Sequence, residues 1–162
     1  MKDIAIIDIE ASGLHFDSYP IEIAILKQGE VRSWLIKPEL KWAYWCTTAE
    51  NMHGITREKL AEEGLSAGQV VLELNEFMEG FEGALYSDAD RWDADWVDTL
   101  YFAVKQSRQF HIASIYDLLD GEAVSRFDAC KAELVSSGRY RHHRAVSDVK
   151  MISEAFGLAR KA

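Results

Sequence analysis

Cysteine is nearly missing from the 162 residues: Cys46 and Cys130 stand far apart, outside any metal-binding or redox spacing. That argues against a disulfide framework or a cysteine-held zinc and fits a reducing cytoplasm. No apolar run reaches the length of a membrane span. Met1-Lys2-Asp3 leads directly into a strand pattern, so neither a membrane segment nor a signal peptide is expected. Repeats, low-complexity tracts and linkers are also lacking, which points to one domain over residues 1–162 with a full core. Positive charge is in deficit, with a formal net charge of −9. The deficit is uneven, because residues 126–162 carry +4 and leave −13 on the remainder. Such a balance argues against coating duplex DNA, which needs many phosphate contacts. It leaves room for an enzyme that grips a few phosphates locally.

What is present starts with Asp3-Ile4-Ala5-Ile6-Ile7-Asp8-Ile9-Glu10-Ala11-Ser12-Gly13. The isoleucines mark a buried strand over residues 4–9. Side chains alternate across a strand, so Asp8 and Glu10 leave the same face one pleat apart. Two carboxylates so close repel unless a cation or a proton lies between them. The pair suits the floor of a divalent-metal site, and equally a solvated strand end. Gly13 lets the chain turn away beside them.

Further strands are expected over 21–27 and 31–36, joined as a hairpin through Gln28-Gly29-Glu30, with Pro38 closing the second. Residues 39–52 read as irregular and aromatic-rich. Thr56 suits an N-cap for a short helix with Glu58 in its first turn. The apolar period predicts helices over 66–80, 92–106 and 144–159, with one or two more over 114–137 broken at Gly121. Ala84-Leu85-Tyr86-Ser87 reads as a fourth strand. This order predicts an α/β fold on a mixed sheet whose first three strands are antiparallel, flanked by helices.

Two later stretches carry acids that could join Asp8 and Glu10. The first, Ser87-Asp88-Ala89-Asp90-Arg91-Trp92-Asp93-Ala94-Asp95, opens at the end of the fourth strand. An EF-hand loop is rejected there, since Asp93 stands where its glycine is required. Acids decorating a helix N-terminus remain an alternative reading for most of them. In the second, His143 and Asp148 flank the start of the last helix. The positive end of the helix dipole would keep that imidazole neutral and proton-accepting.

Taken together, the motifs resemble the DEDDh family of 3′–5′ exonucleases over nearly the whole chain. Asp8-Ile9-Glu10-Ala11-Ser12-Gly13-Leu14 matches the first motif, Asp93-Ala94-Asp95-Trp96-Val97 the second, and His143-Arg144-Ala145-Val146-Ser147-Asp148 the third. Glu22-Ile23-Ala24 and His53-Gly54-Ile55-Thr56 match two accessory signatures. With His142 preceding it, the third motif looks closest to the exonuclease X and ribonuclease T branch. Relatives usually begin the second motif His-Asn-Ala, where this chain has Ser87-Asp88-Ala89. Asp93 is the chosen central acid because the following Trp96-Val97 keeps the family's spacing, with Asp88 and Asp90 in reserve.

The resemblance implies a ribonuclease H-like fold and hydrolysis assisted by two Mg²⁺ or Mn²⁺ ions. It implies Asp8, Glu10, Asp93 and Asp148 as ligands and His143 as general base. It also implies single-stranded DNA or RNA 3′ ends as partners. Ile9, Ala11 and Leu14 would shape the terminal-nucleotide pocket. Trp42, Tyr44, Trp45 and His53 could stack on bases, while Arg139, Arg141 and Arg144 could reach phosphates. Homodimers occur in the family, so self-association is an option. Two other functions stay open: a catalytically weak partner-binding module, and a metal-dependent phosphoesterase acting on small phosphate esters.

Overall fold

The computed structural model describes residues 4–161. Among them are five strands, β1 (Ala5–Ala11), β2 (Pro20–Lys27), β3 (Glu30–Leu35), β4 (Ala84–Ser87) and β5 (His111–Ser114). They form one mixed sheet in the order β3-β2-β1-β4-β5. The β1–β2 and β2–β3 pairs are antiparallel, while β1–β4 and β4–β5 are parallel. The hairpin between β2 and β3 turns on Gln28 and Gly29 alone, both at positive φ (52° and 80°). Such a two-residue turn matches the twist of its strands.

Six α-helices surround the sheet: α1 (Thr47–His53), α2 (Arg57–Glu63), α3 (Ala67–Met78), α4 (Asp90–Ala103), α5 (Gly121–Ser136) and α6 (Ala145–Ala159). A 3₁₀ turn, Ile115–Leu118, links β5 to α5. The two-residue period of β1 sorts the helices into layers. Ala5, Ile7, Ile9 and Ala11 pack with residues of α3 and α4, including Val70, Leu74, Trp96 and Leu100. Ile6 lies on the other face with Phe127 of α5 and Val149, Ile152 and Phe156 of α6. Asp8 and Glu10 continue this second face, so α6 runs over the same side of the sheet from which they project. No described helix is long and apolar enough to cross a membrane.

The expected helices and the first four strands are present, with ends shifted by at most three residues. Two elements differ from expectation. Residues 39–52 are not wholly irregular, because α1 begins at Thr47. Its sequence Thr-Thr-Ala-Glu-Asn-Met-His buries only His53, so it carries no apolar period. The stretch beginning at residue 114 is preceded by β5, four residues whose pairing with β4 supplies what their composition does not.

Candidate active site and metal centre

β4 ends beside the middle of β1, one residue past the Ile6–Tyr86 pair, and the acids that follow on β1 and after β4 line one cleft of about 310 Å³. Asp8, Glu10, Asp88, Asp93, His143 and Asp148 all line it. Ligands commonly settle in crevices beyond the carboxyl ends of parallel strands. A register shift between Glu10 and Ala11 re-aims the strand end at this point.

The carboxylates come from three elements. Asp8 and Glu10 project from β1, and Asp148 reaches them from the first turn of α6. One oxygen from each of these three acids lies within 4.8 Å of the others. Asp93, in the first turn of α4, stands beside this triad with its carboxylate accepting from Ser87 Oγ at 2.6 Å. Ser87 Oγ also accepts the Ala89 N–H at 2.9 Å, so one hydroxyl fixes both the turn and the acid.

Burial raises the Asp8 pKa well above the carboxylate range, and the nearby Asp93, Glu10 and Asp148 push it further. Glu10 is pushed up to about 8 by burial and then by Asp148. Asp93 and Asp148 are raised as well, chiefly by burial. Asp8 Oδ2 is buried without a hydrogen-bond partner. An orphaned oxygen amid mutually repelling acids suits the binding of a cation. Hard oxygen donors of this kind suit Mg²⁺ or Mn²⁺.

The third motif is anchored twice. Asp148 Oδ2 accepts the His143 N–H at 3.0 Å, and His142 Nδ1 lies 3.1 Å from Asp148 Oδ1. His143 adopts φ 64°, the left-handed region that non-glycine residues rarely enter. Its imidazole pKa is lowered, first by burial and then by His142, whose ring centroid is 3.8 Å away. A neutral ring at the cleft can accept a proton.

The accessory signatures now have physical roles. Glu22 pairs across the strands with Glu10 and is buried, yet it points its carboxylate at the start of α6. It accepts from the Ala145 N–H at 2.8 Å and from Arg144 at 2.7 and 3.1 Å. This clamp fixes α6, and hence Asp148, against β1. Arg144→Ala should therefore cost about 3 kcal/mol, because Glu22 would be left buried and unpaired. Urea unfolding would measure it, and a loss below about 1 kcal/mol would show the clamp to be dispensable. In the other signature, His53 ends α1, Gly54 closes it at φ 71°, and Thr56 caps α2 by accepting from Lys59 N at 3.1 Å.

The cleft gathers some of the expected substrate residues and leaves others outside. Ile9, Ala11, Leu14 and His53 line it. Trp42 does not; it stacks on Tyr19 at 5.2 Å and packs against the core. Trp45 lies outside the lining too, edge-on to His53 and under Arg57. Arg144 is held by Glu22 and Arg139 by Glu154, so each guanidinium already has a carboxylate partner. The aromatic wall is instead the stacked pair Trp92 and Trp96, from the helical period of α4, which reads as core packing in sequence. Ser87 and Lys131, which touches Asp88, also lack any sequence signal beyond their residue type. Gly13 serves close packing, since a Cβ there would meet Tyr44 at 2.7 Å and Cys46 at 2.8 Å.

No protein-family model and no curated protein sequence matches the chain. Solved structures do match. The moderately thermophilic exonuclease I from Methylocaldum szegediense superposes over 98% of this chain at TM-score 0.76 and 17% identity. Escherichia coli exonuclease I in complex with a dA16 oligonucleotide matches over 98% at TM-score 0.75 and 14% identity. The zinc-bound form of the E. coli enzyme with single-stranded DNA gives 0.76 and 15% over 98%. The chain spans about 40% of the length of each. The five-stranded mixed sheet with its flanking helices is thus the ribonuclease H-like fold. At such identities the likeness establishes the fold.

Proposed function

We propose that the protein is a metal-dependent 3′–5′ exonuclease, releasing nucleoside monophosphates from single-stranded DNA or RNA. The observation that carries this reading is the meeting of Asp8, Glu10 and Asp148 with His143 in one cleft of this fold. The fold neighbours bound to single-stranded oligonucleotides support the choice of substrate.

Asp8, Glu10, Asp93 and Asp148 would hold two divalent ions, whose bound state would supply phosphate charge neutralisation and an acidified water. His143, neutral through burial, would take the proton of the attacking water. Its backbone N–H, given to Asp148, fixes where that ring stands. The exposed face of Trp92 offers a stacking surface for a terminal base. His53 offers a donor: its Nδ1 accepts the Ile55 N–H at 3.0 Å, so Nε2 carries the proton, buried and without a partner. Burial holds its pKa down to about 4, which keeps this donor neutral across the working range.

The test is digestion of 3′- and 5′-labelled single strands of DNA and RNA with Mg²⁺, Mn²⁺ or EDTA. Metal-dependent stepwise loss from the 3′ end is expected, abolished by EDTA. Release of phosphate from simple esters without polymer shortening would instead favour the small-ester reading. Partner capture without any hydrolysis would favour the binding-module reading.

A further inference from the structure

The turn after β4 places two acids at the cleft, Asp88 and Asp93. They differ in what holds them. Asp93 is tied to Ser87 at the start of α4. Asp88 Oδ2 accepts from Lys131 Nζ at 3.1 Å, and Lys131 belongs to α5, 43 residues away. Its ammonium is no loose surface group. It donates to Tyr116 Oη at 3.1 Å, lies 3.8 Å from Asp128 Oδ1 and sits 4.8 Å from the centre of the Phe127 ring. Tyr116 Oη in turn donates to Asp128 at 2.9 Å. Four anchors fix Nζ, and both partners of the Asp88–Lys131 pair are only about one-fifth exposed (22% and 20%). A pair so constrained holds its geometry far better than an exposed one.

Charge explains why such a restraint matters. Asp88 adds to the repulsion felt by Asp8, Asp93 and Asp148. Unrestrained, it would be a fifth carboxylate able to swing toward a bound cation. We infer that Lys131 is a positioning residue that holds Asp88 out of the ion-binding set and leaves the central ligand role to Asp93. This inference rests on the exonuclease reading above. It makes Lys131 the local counterweight to the acid at position 88.

The experiment is a double-mutant cycle of wild type, Lys131→Met, Asp88→Asn and the double variant. Each is titrated with Mn²⁺ alone by thermal shift and assayed on a labelled single strand. Lys131→Met should respond at an Mn²⁺ concentration about tenfold lower, since the released Asp88 carboxylate adds an oxygen ligand to the ion. It should also shorten the strand at least about tenfold more slowly, the extra ligand drawing the cation off its productive place. In the double variant both values should return to those of Asp88→Asn alone. Lys131→Gln, which keeps the polar reach without the charge, should behave as Lys131→Met and serves if the methionine variant does not fold. An unchanged Mn²⁺ response in the lysine variants, or defects that persist when Asp88 is also replaced, would overturn the inference. A wild type that binds no Mn²⁺ and shortens nothing would overturn the exonuclease reading itself.

Discussion

Replacing His143 by alanine is expected to slow shortening of a single strand by about 10²–10⁴-fold while leaving Mn²⁺ binding nearly intact. On the proposed reading the ring is the proton acceptor, whereas the cluster of oxygens within 4.8 Å is made by Asp8, Glu10 and Asp148. The backbone complicates the substitution, because position 143 sits at φ 64° and alanine is ill at ease there. His143→Asn separates the two effects, since asparagine tolerates the left-handed region but cannot serve as the base. Both variants should lose rate alike, and both should keep the Mn²⁺-induced rise in melting temperature. Recovery of rate in the asparagine variant would assign the histidine a purely conformational role.

The second large effect concerns stability. Asp8→Asn should abolish hydrolysis and stabilise the metal-free protein by about 1–4 kcal/mol, as removal of a buried charge burden often does. In the metal-free fold Asp8 meets four other acids, and one of its oxygens has no partner. Glu10 shows how this cost depends on pH. Its pKa rises from 4.5 to about 8 on folding, so between those values the folded state holds a proton that the unfolded state has released. Stability from this group is full below pH 4.5 and falls as pH rises toward 8, by at most about 1.4 kcal/mol per unit. Divalent ions remove the penalty by replacing the protons. The thermal shift on adding Mn²⁺ should therefore grow between pH 6 and pH 8. It should vanish in Asp8→Asn. A shift that is flat with pH, or an asparagine variant less stable than wild type without metal, would contradict this account.

Much of the fold was readable because its signals are local. The isoleucines of β1, the Gln28-Gly29 turn, the Thr56 cap and the apolar faces of α3 and α6 are set by neighbours in sequence. β5 and α1 were not readable, since both depend on contacts across the fold rather than on a period of their own. The acids were legible as types at spacings, and the structure gathers Asp8, Glu10, Asp93 and Asp148 at one cleft. Substrate residues were harder. Trp42 and Trp92 look alike in sequence, yet one is clamped against Tyr19 and the other faces the cleft. Arg144 reads as a free cation until Glu22, 122 residues earlier, claims it.

The acids of the cleft come from opposite ends of the described chain. β1 supplies two of them, and α6, clamped by Glu22, supplies another together with the histidine that precedes it. On a ribosome, β1 emerges long before α6 can dock. Any growing chain that has not yet reached residue 148 lacks the fourth acid, and one short of residue 143 lacks the histidine too. On the proposed reading the protein would thus be inert while it is being made. Whatever activity the cleft has would arrive in one step, when α6 closes on the sheet.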